Sequence, residues 1–246
     1  LVEAGVNMAE IIYPSINGPA FAHLGSPCVA FEKYDGSNLR FFWDQKRGWH
    51  SSGTRYRWFK AATPTFGVAV ELFQQQYAQG ILDSLRRIKD YRGVTELVAF
   101  CEFFGPGTFS GLHQEDEPRQ LVLFDLYLPG RGFVFPKEFV SHFGHLPIAR
   151  VVYEGAFSRS FVEDVQDGKY RVKEGIVAKG VHIRRRRKGK ADHEVWMAKV
   201  KTRAWLKHLA CRAGDSEELR RDYEQNVREQ EVANAPTVPT GEAETN

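Results

Sequence analysis

The stretch Phe31-Glu32-Lys33-Tyr34-Asp35-Gly36-Ser37-Asn38-Leu39-Arg40 constrains the fold more than any other part of the chain. The apolar run Pro27-Cys28-Val29-Ala30-Phe31 leads into it, and Leu39-Arg40-Phe41-Phe42-Trp43 leads out. Both runs have strand character, and Asp35-Gly36 between them is a turn signal. A strand, a turn and a second strand, with Lys33 closing the first, put an amine at the lip of a sheet. A surface lysine would seldom be sited there, so the spacing marks Lys33 as a nucleophile that the rest of the chain has to activate.

The 246 residues are 42% hydrophobic and 13% aromatic, which supplies a sizeable core and excludes wholesale disorder. Three cysteines, Cys28, Cys101 and Cys211, give neither a disulfide framework nor a zinc spacing, so a reducing, cytoplasmic setting fits them. No apolar run approaches the ~20 residues of a membrane span, and the N-terminus lacks the basic-then-apolar order of a signal peptide. A monomer without a membrane partner is expected. The chain begins at Leu1 and Met8 follows, so residues 1–7 read as a leader, or the chain as a fragment of something longer. The net charge of +3 conceals an asymmetry: residues 213–246 hold nine acids and three arginines, or −6, which leaves +9 for residues 1–212. A basic body suits a polyanionic partner.

Along the chain, Ile11-Ile12-Tyr13-Pro14 is apolar and Asn17-Gly18-Pro19 turns. Residues 38–54 read as a hairpin that Arg55 and Arg57 leave. Residues 65–90 read as the main helix, with Phe73, Tyr77, Ile81, Leu85 and Ile88 on one apolar stripe. Thr95 to Gly105 is a mostly apolar strand whose anomaly is Glu102; an unpaired buried carboxylate costs several kcal/mol, so Glu102 should face a cleft or a partner. The glycines from Gly105 to Gly111 have the wrong spacing for a dinucleotide loop, and Pro106 intrudes. Gln120 to Leu128 is a buried strand carrying Phe124-Asp125. Pro136 to Phe143 opens with a helix-starting proline; His142 and His145 nearby have no metal-ligand partner at suitable spacing. Ala149 to Glu154 reads as a strand and Ser158 to Val165 as a helix. Val172 to Gly180 reads as a strand carrying Glu174-Gly175, and Arg184 to Lys190 is a cationic hairpin tip. On the return strand Val195 to Lys201, Lys199 and Lys201 share a face at period two. Trp205 to Arg212 looks helical, continuing through Ser216 to Glu231, and the Pro-, Thr- and Glu-rich stretch Ala233 to Asn246 reads as disordered.

Lys33-x-Asp35-Gly36, Glu102, Phe124-Asp125, Glu174-Gly175 and Lys199-x-Lys201 each end or line a strand. Together they supply an amine, carboxylates, an aromatic face and two further cations, the set needed to attack the α-phosphate of a nucleotide. With a reference pKa of about 10.4, a lysine amine at pH 7 lies roughly 4.6 kcal/mol from its reactive form. Burial and nearby cations lower that pKa, and Lys199 and Lys201 would do so if their strand lay beside Lys33. Charge developing at phosphorus calls for cations and a divalent metal; the hard oxygens of Glu174 suit magnesium. Phe124 can stack on a base, and Glu102 can accept from ribose hydroxyls.

These motifs, in this order, resemble the covalent nucleotidyltransferase superfamily of ligases and capping enzymes. The matching stretches are Lys33-Tyr34-Asp35-Gly36, Cys101-Glu102-Phe103-Phe104-Gly105, Leu123-Phe124-Asp125, Glu174-Gly175-Ile176-Val177 and Lys199-Val200-Lys201, and the likeness covers roughly residues 10–207. Glu32-Lys33 followed by Gly36-Ser37-Asn38, with the opening Tyr13-Pro14-Ser15-Ile16, looks most like ATP-dependent RNA ligases of the phage RNA ligase 2-like kind. The resemblance implies an α+β fold: a nucleotidyltransferase (ATP-grasp-like) domain of antiparallel sheets flanked by helices over residues 1–212, then an acidic helical and disordered tail over 213–246. That tail is too short for the OB barrel that follows the last motif in DNA ligases and capping enzymes. It also implies that Lys33 takes AMP from ATP and passes it to an RNA 5′-phosphate, which a 3′-hydroxyl then attacks. Glu102 would contact the ribose, Phe124 the adenine, Glu174 a magnesium or manganese ion, and Lys199 and Lys201 the α-phosphate. Asp35 would orient the nucleophile; Glu32, Asn38 and Arg55 would reach the nucleotide, with Arg40 and Arg57 as competitors for the arginine's place. A minimal DNA ligase, a capping guanylyltransferase, and a non-sealing RNA-binding protein that keeps the pocket are the alternatives.

Overall fold

Period-two alternation along the strands decides which side chains meet. The structure, a computed structural model, describes residues 11–59, 66–106, 108, 113, 115–187, 190–213 and 217–231. In chain order, β1 (Pro27–Lys33), β2 (Ser37–Asp44) and β3 (Gly48–Thr54) come first. Then follow α1 (Gly67–Phe73), a π-helical turn (Gln74–Ala78), α2 (Gln79–Arg87), β4 (Glu96–Phe104), β5 (Gln120–Leu128), β6 (Gly132–Phe133) and α3 (Pro136–Phe143). The chain continues through β7 (Val151–Ala156), α4 (Arg159–Gln166), β8 (Gly175–Arg187), β9 (Lys190–Lys201), α5 (Arg203–Ala213) and α6 (Glu217–Glu231). Two antiparallel sheets result, one ordered β7-β1-β8-β9 and the other β3-β2-β4-β5-β6. This is the expected α+β architecture of antiparallel sheets flanked by helices.

In the first sheet, Cys28, Ala30, Ile176, Ala178, Ala198 and Val200 alternate onto one face and pack on Phe161, Val162 and Val165 of α4. The register Lys33↔Gly175↔Lys201 and Phe31↔Val177↔Lys199 then aligns the lysines of β1 and β9 on the opposite face. In the second sheet, Leu39, Phe41, Leu97, Ala99 and Cys101 meet α1 and α2. Asn38, Phe42, Phe100 and Glu102 take the other face by the same alternation. Polar residues that break the apolar pattern are thereby delivered to the cleft between the sheets.

The helix expected over residues 65–90 runs from Gly67 to Arg87 and is interrupted by the π turn. Apolar residues spaced by four drift roughly 40° per step around an α-helix of 3.6 residues per turn, and the wider π turn takes up that drift. Phe73, Tyr77 and Ile81 therefore all stay fully buried. The strand expected from Ala149 runs Val151–Ala156, and the one expected from Val172 starts at Gly175. His142 packs, its Nδ1 lying 2.9 Å from the Tyr91 hydroxyl. The side chains from Arg184 to Lys190, and residues 1–7 and 233–246, lie outside the described residues. Among the described residues no helix is long and apolar enough to cross a membrane.

Phe73 stacks on Phe41 at 3.9 Å between centroids and meets Trp49 edge-on at 4.7 Å. Phe73→Ala should lower the unfolding free energy by about 3–5 kcal/mol, the range for emptying such a site, measured by urea titration. A loss under about 1 kcal/mol would show that the stripe does not carry the helix–sheet contact.

Candidate active site

Lys33 stands at the end of β1 because Gly36 lets the chain turn under β4: a Cβ on Gly36 would lie 2.3 Å from the carbonyl oxygen of Phe103. Gly175 permits a second close approach, since a Cβ there would lie 2.1 Å from the carbonyl oxygen of Val200. With β8 and β9 that close, the Glu174 carboxylate just before β8 reaches two strands. Its Oε1 lies 2.8 Å from Lys33 Nζ and 3.1 Å from Lys201 Nζ. Its Oε2 is buried without a hydrogen-bond partner.

A cavity of about 570 Å³ opens between the sheets beside this cluster. Lys33, Asn38, Arg55, Glu102, Phe124 and Lys179 are in its wall. Asn38 Oδ1 and Arg55 Nε are buried and lack hydrogen-bond partners, which leaves an acceptor and a cationic donor at the cavity for a ligand. Of the competing arginines, Arg40 is held in the core: it donates to the carbonyls of Thr54 and Ile11, and its guanidinium covers Trp58 at 4.0 Å. Arg57 is exposed. Phe124 reaches the cleft through a register shift in β5, where Asp125 pairs with Phe100 and Leu123 with Cys101. That irregularity brings the consecutive Phe124 and Asp125 to the cleft side.

The electrostatics differ from expectation at Lys33. The strand of Lys199 and Lys201 is not beside β1; β8 lies between them. Burial opposes the Lys33 charge, but Glu174, Glu102 and Asp35 outweigh it and hold the amine above its ordinary value. The expected depression by neighbouring cations is absent. Glu174 is held below the usual carboxylate range: burial pushes it up, and Lys33 and Lys201 more than reverse that. Burial raises Glu102 to about 7, with Lys33 partly offsetting it and Glu174 adding to it.

Lys199 lies apart from Lys33. Its Nζ is 3.0 Å from Glu229 of α6, and its backbone N–H donates to Asn17. The next residue, Gln230, accepts from the Lys201 backbone at 3.4 Å. Glu32 lines the cavity with its carboxylate on Arg150 at 2.8 Å. The Asp35 carbonyl accepts from His113 Nε2 at 2.9 Å. The residue passed over in the sequence is Lys179. It is buried on the cleft face of β8, 2.6 Å from Asp125, whose other contact is the Tyr13 hydroxyl. Its signal was a cation inside the apolar run Gly175 to Gly180, the same anomaly that singled out Glu102. Among the described residues no three His, Cys, Asp or Glu side chains form a metal-holding group.

A two-sheet cleft with a lysine at its lip, a paired carboxylate behind it and unpartnered polar groups along the wall agrees with the expected nucleotidyltransferase fold. Within it, the chain belongs to the RNA ligase family, whose sequence profile matches residues 26–207. Solved structures of the Naegleria gruberi RNA ligase share the fold. A variant bound to ATP and manganese has a TM-score of 0.56 at 13% identity, covering 80% of this chain and 58% of that one. The enzyme with pyrophosphate gives 0.53 at 16%, covering 75% and 52%, and another variant with AMP and manganese gives 0.55 at 13%, covering 80% and 58%. The chain thus spans less than three fifths of those ligases. No curated protein matches in sequence.

Glu102 supplies a pH test. With its carboxyl raised in the fold, the unfolded chain binds fewer protons between the ordinary carboxylate value and about 7, so this group's contribution to stability falls as pH rises through that window. Glu102→Gln should therefore raise the melting temperature at pH 8 relative to wild type by more than at pH 5. An equal shift at both pH values would contradict a buried carboxylate titrating near neutrality.

Proposed function

We propose that this chain is the adenylation unit of an ATP-dependent RNA ligase, joining RNA 5′-phosphate and 3′-hydroxyl ends. The observation that carries the reading is the Glu174 carboxylate bridging Lys33 and Lys201 beside a cavity with an unpartnered Arg55 Nε and Asn38 Oδ1. The Naegleria gruberi RNA ligase structures, solved with ATP, AMP, pyrophosphate and manganese, support it by analogy.

Lys33, once deprotonated, attacks the α-phosphorus of ATP: an N–P bond forms, the bond to pyrophosphate breaks, and AMP is left on Nζ. An RNA 5′-phosphate oxygen then displaces the lysine, and a 3′-hydroxyl displaces AMP to seal the strand. Adenosine occupies the cavity, with its base on Phe124 and its ribose against Glu102. Glu32 and Arg55 border the nucleotide, Asn38 accepts from it, and Lys201 neutralises charge at the α-phosphate. Asp35 orients the turn that carries Lys33. Glu174 Oε2, buried and unpartnered, fits a magnesium or manganese ion, which when bound would offset phosphate charge. Glu174 is also positioned to leave Lys33 without its stabilising anion when drawn elsewhere, which brings the amine closer to its reactive neutral form. Residues 1–212 form the adenylation domain, and residues 213–246 an appendage to it.

Incubation with α-labelled ATP should label the protein, and Lys33→Ala should abolish the label. Labelling by GTP in place of ATP would indicate capping chemistry, and no label from either would sink both enzyme readings. Nicked RNA against nicked DNA then separates the RNA from the DNA ligase. For Lys199 to meet a phosphate it must leave Glu229. Glu229→Gln should therefore lower the ATP concentration giving half-maximal labelling about two- to fivefold, the worth of a largely but not fully buried pair. A rise in that concentration would show that Glu229 assists the site.

A further inference from the structure

Lys33 is the last residue of β1 that pairs with β8, and Ser37 is the first of β2 that pairs with β4. Tyr34, Asp35 and Gly36 lie between the two ladders. The direction in which Lys33 leaves the sheet therefore depends on what holds these three residues from outside. All three are held by the chain at and beyond the end of β4. Gly36 passes under the carbonyl of Phe103, where a Cβ would lie 2.3 Å from the oxygen. The ring of Tyr34 stacks on Phe104, 4.9 Å between centroids and 9° between planes. The carbonyl of Asp35 meets Nε2 of His113 at 2.9 Å.

Nothing assigned so far uses His113. Its side chain is 9% exposed, and its other ring nitrogen, Nδ1, lies 2.7 Å from Oε2 of Glu117. A carbonyl oxygen can only accept, so Nε2 carries a proton and donates to Asp35. The contact on Nδ1 fixes the plane of the ring and decides which nitrogen faces the turn. The ring also lies 6.1 Å from that of Phe104, the ring on which Tyr34 stacks. One imidazole, held on its far side, thus holds backbone that neither strand holds.

We propose that His113 is a positioning residue for the transfer of AMP to Lys33: its Nε2–H clamps the Asp35 carbonyl and fixes the turn from which the lysine leaves the sheet. This rests on the adenylation reading of the Lys33 site. In that step the bond from Nζ to phosphorus forms as the bond to pyrophosphate breaks, and His113 exchanges no proton with either. The attack needs Nζ within about 3–3.5 Å of phosphorus and in line with the leaving group, and an error of about 1 Å costs on the order of a hundredfold in rate. The Lys33 side chain is long, but its root is set by this backbone, and Nζ lies 3.5 Å from the Tyr34 carbonyl of the same turn. His113 is outside the wall of the nucleotide cavity, so its effect falls on the rate of transfer and not on the hold on ATP. Glu117 acts one step further back, by keeping the ring in place.

The test is single-turnover labelling of the full chain with α-labelled ATP, measured as a rate against ATP concentration, for wild type, His113→Leu and His113→Gln. Leucine fills the space without a donor. Glutamine sets an amide N–H near the place of Nε2, so it keeps the bond to Asp35. His113→Leu should lower the rate at saturating ATP about ten- to hundredfold and leave the half-saturating ATP concentration within about twofold of wild type. His113→Gln should stay within about fivefold of the wild-type rate, since a neutral hydrogen bond to the turn is retained. A leucine variant as fast as wild type would overturn the proposal, as would a glutamine variant as slow as the leucine one, or a loss confined to the half-saturating concentration. Amide hydrogen exchange of the peptide carrying residues 33–38 adds a readout that needs no chemistry. His113→Leu should speed exchange there about threefold or more, with peptides of β4 and β5 unchanged, and His113→Gln should not. Exchange that rises everywhere, or nowhere, would overturn the clamp. No label from the wild type removes the adenylation reading and the positioning role with it; label with an unaffected leucine variant removes the positioning role alone.

Discussion

One carboxylate oxygen holds the centre of this molecule together. Glu174 Oε1 lies within 3.1 Å of two lysines from strands that are not neighbours. Two ammonium groups converging in a buried setting repel each other and are poorly solvated, and the carboxylate between them makes the arrangement tolerable. Removing one partner of such a group leaves an uncompensated buried charge, which is why breaking a buried pair is strongly destabilising. The geometry that delivers Glu174 depends in turn on Gly175, where the β9 backbone comes too close for any side chain. The glycine behind the glutamate is thus a packing requirement as much as a motif letter.

The same ion pair sets the problem the chemistry has to solve. Glu174, Glu102 and Asp35 hold Lys33 charged despite its burial, and a charged amine is no nucleophile. On the proposed function, Lys33 has to be released from these carboxylates before it can attack. Lys199 is likewise held by a carboxylate, that of Glu229 of α6. On the proposed function, activation would be an exchange of partners: the phosphates of ATP would take the cations, and Glu174 would be left to hold a divalent ion, which would offset phosphate charge.

Much of this was legible in the sequence wherever a polar residue broke a strand's apolar pattern. Glu102 stands out because an unpaired charge in an apolar strand is expensive, Lys33 because it closes a strand ahead of an Asp-Gly turn, and the order of motifs points to the right family. Lys179 obeys the same rule as Glu102, a charge inside the apolar run Gly175 to Gly180, but Glu174 beside it already accounts for that stretch. The pairing of Lys199 with Glu229 had no local signal, since it depends on how α6 packs on β9 and on residues 19–21. The shift at Lys33 runs opposite to the sequence expectation for a related reason. Periodicity gave the face that Lys201 occupies, but strand order placed β8, with Glu174 before it, between β1 and β9. The π turn that interrupts the long helix had no such signal, since the four-residue spacing of Phe73, Tyr77 and Ile81 also fits the apolar face of a straight α-helix.

On the proposed function, Nζ of Lys33 carries AMP. Peptide mapping by mass spectrometry of the protein after incubation with ATP and magnesium tests it most directly. The account predicts a single AMP adduct on the peptide containing Lys33, located on Nζ and labile in acid as a phosphoramidate. An adduct on Lys179, Lys199 or Lys201 with Lys33 unmodified would contradict it.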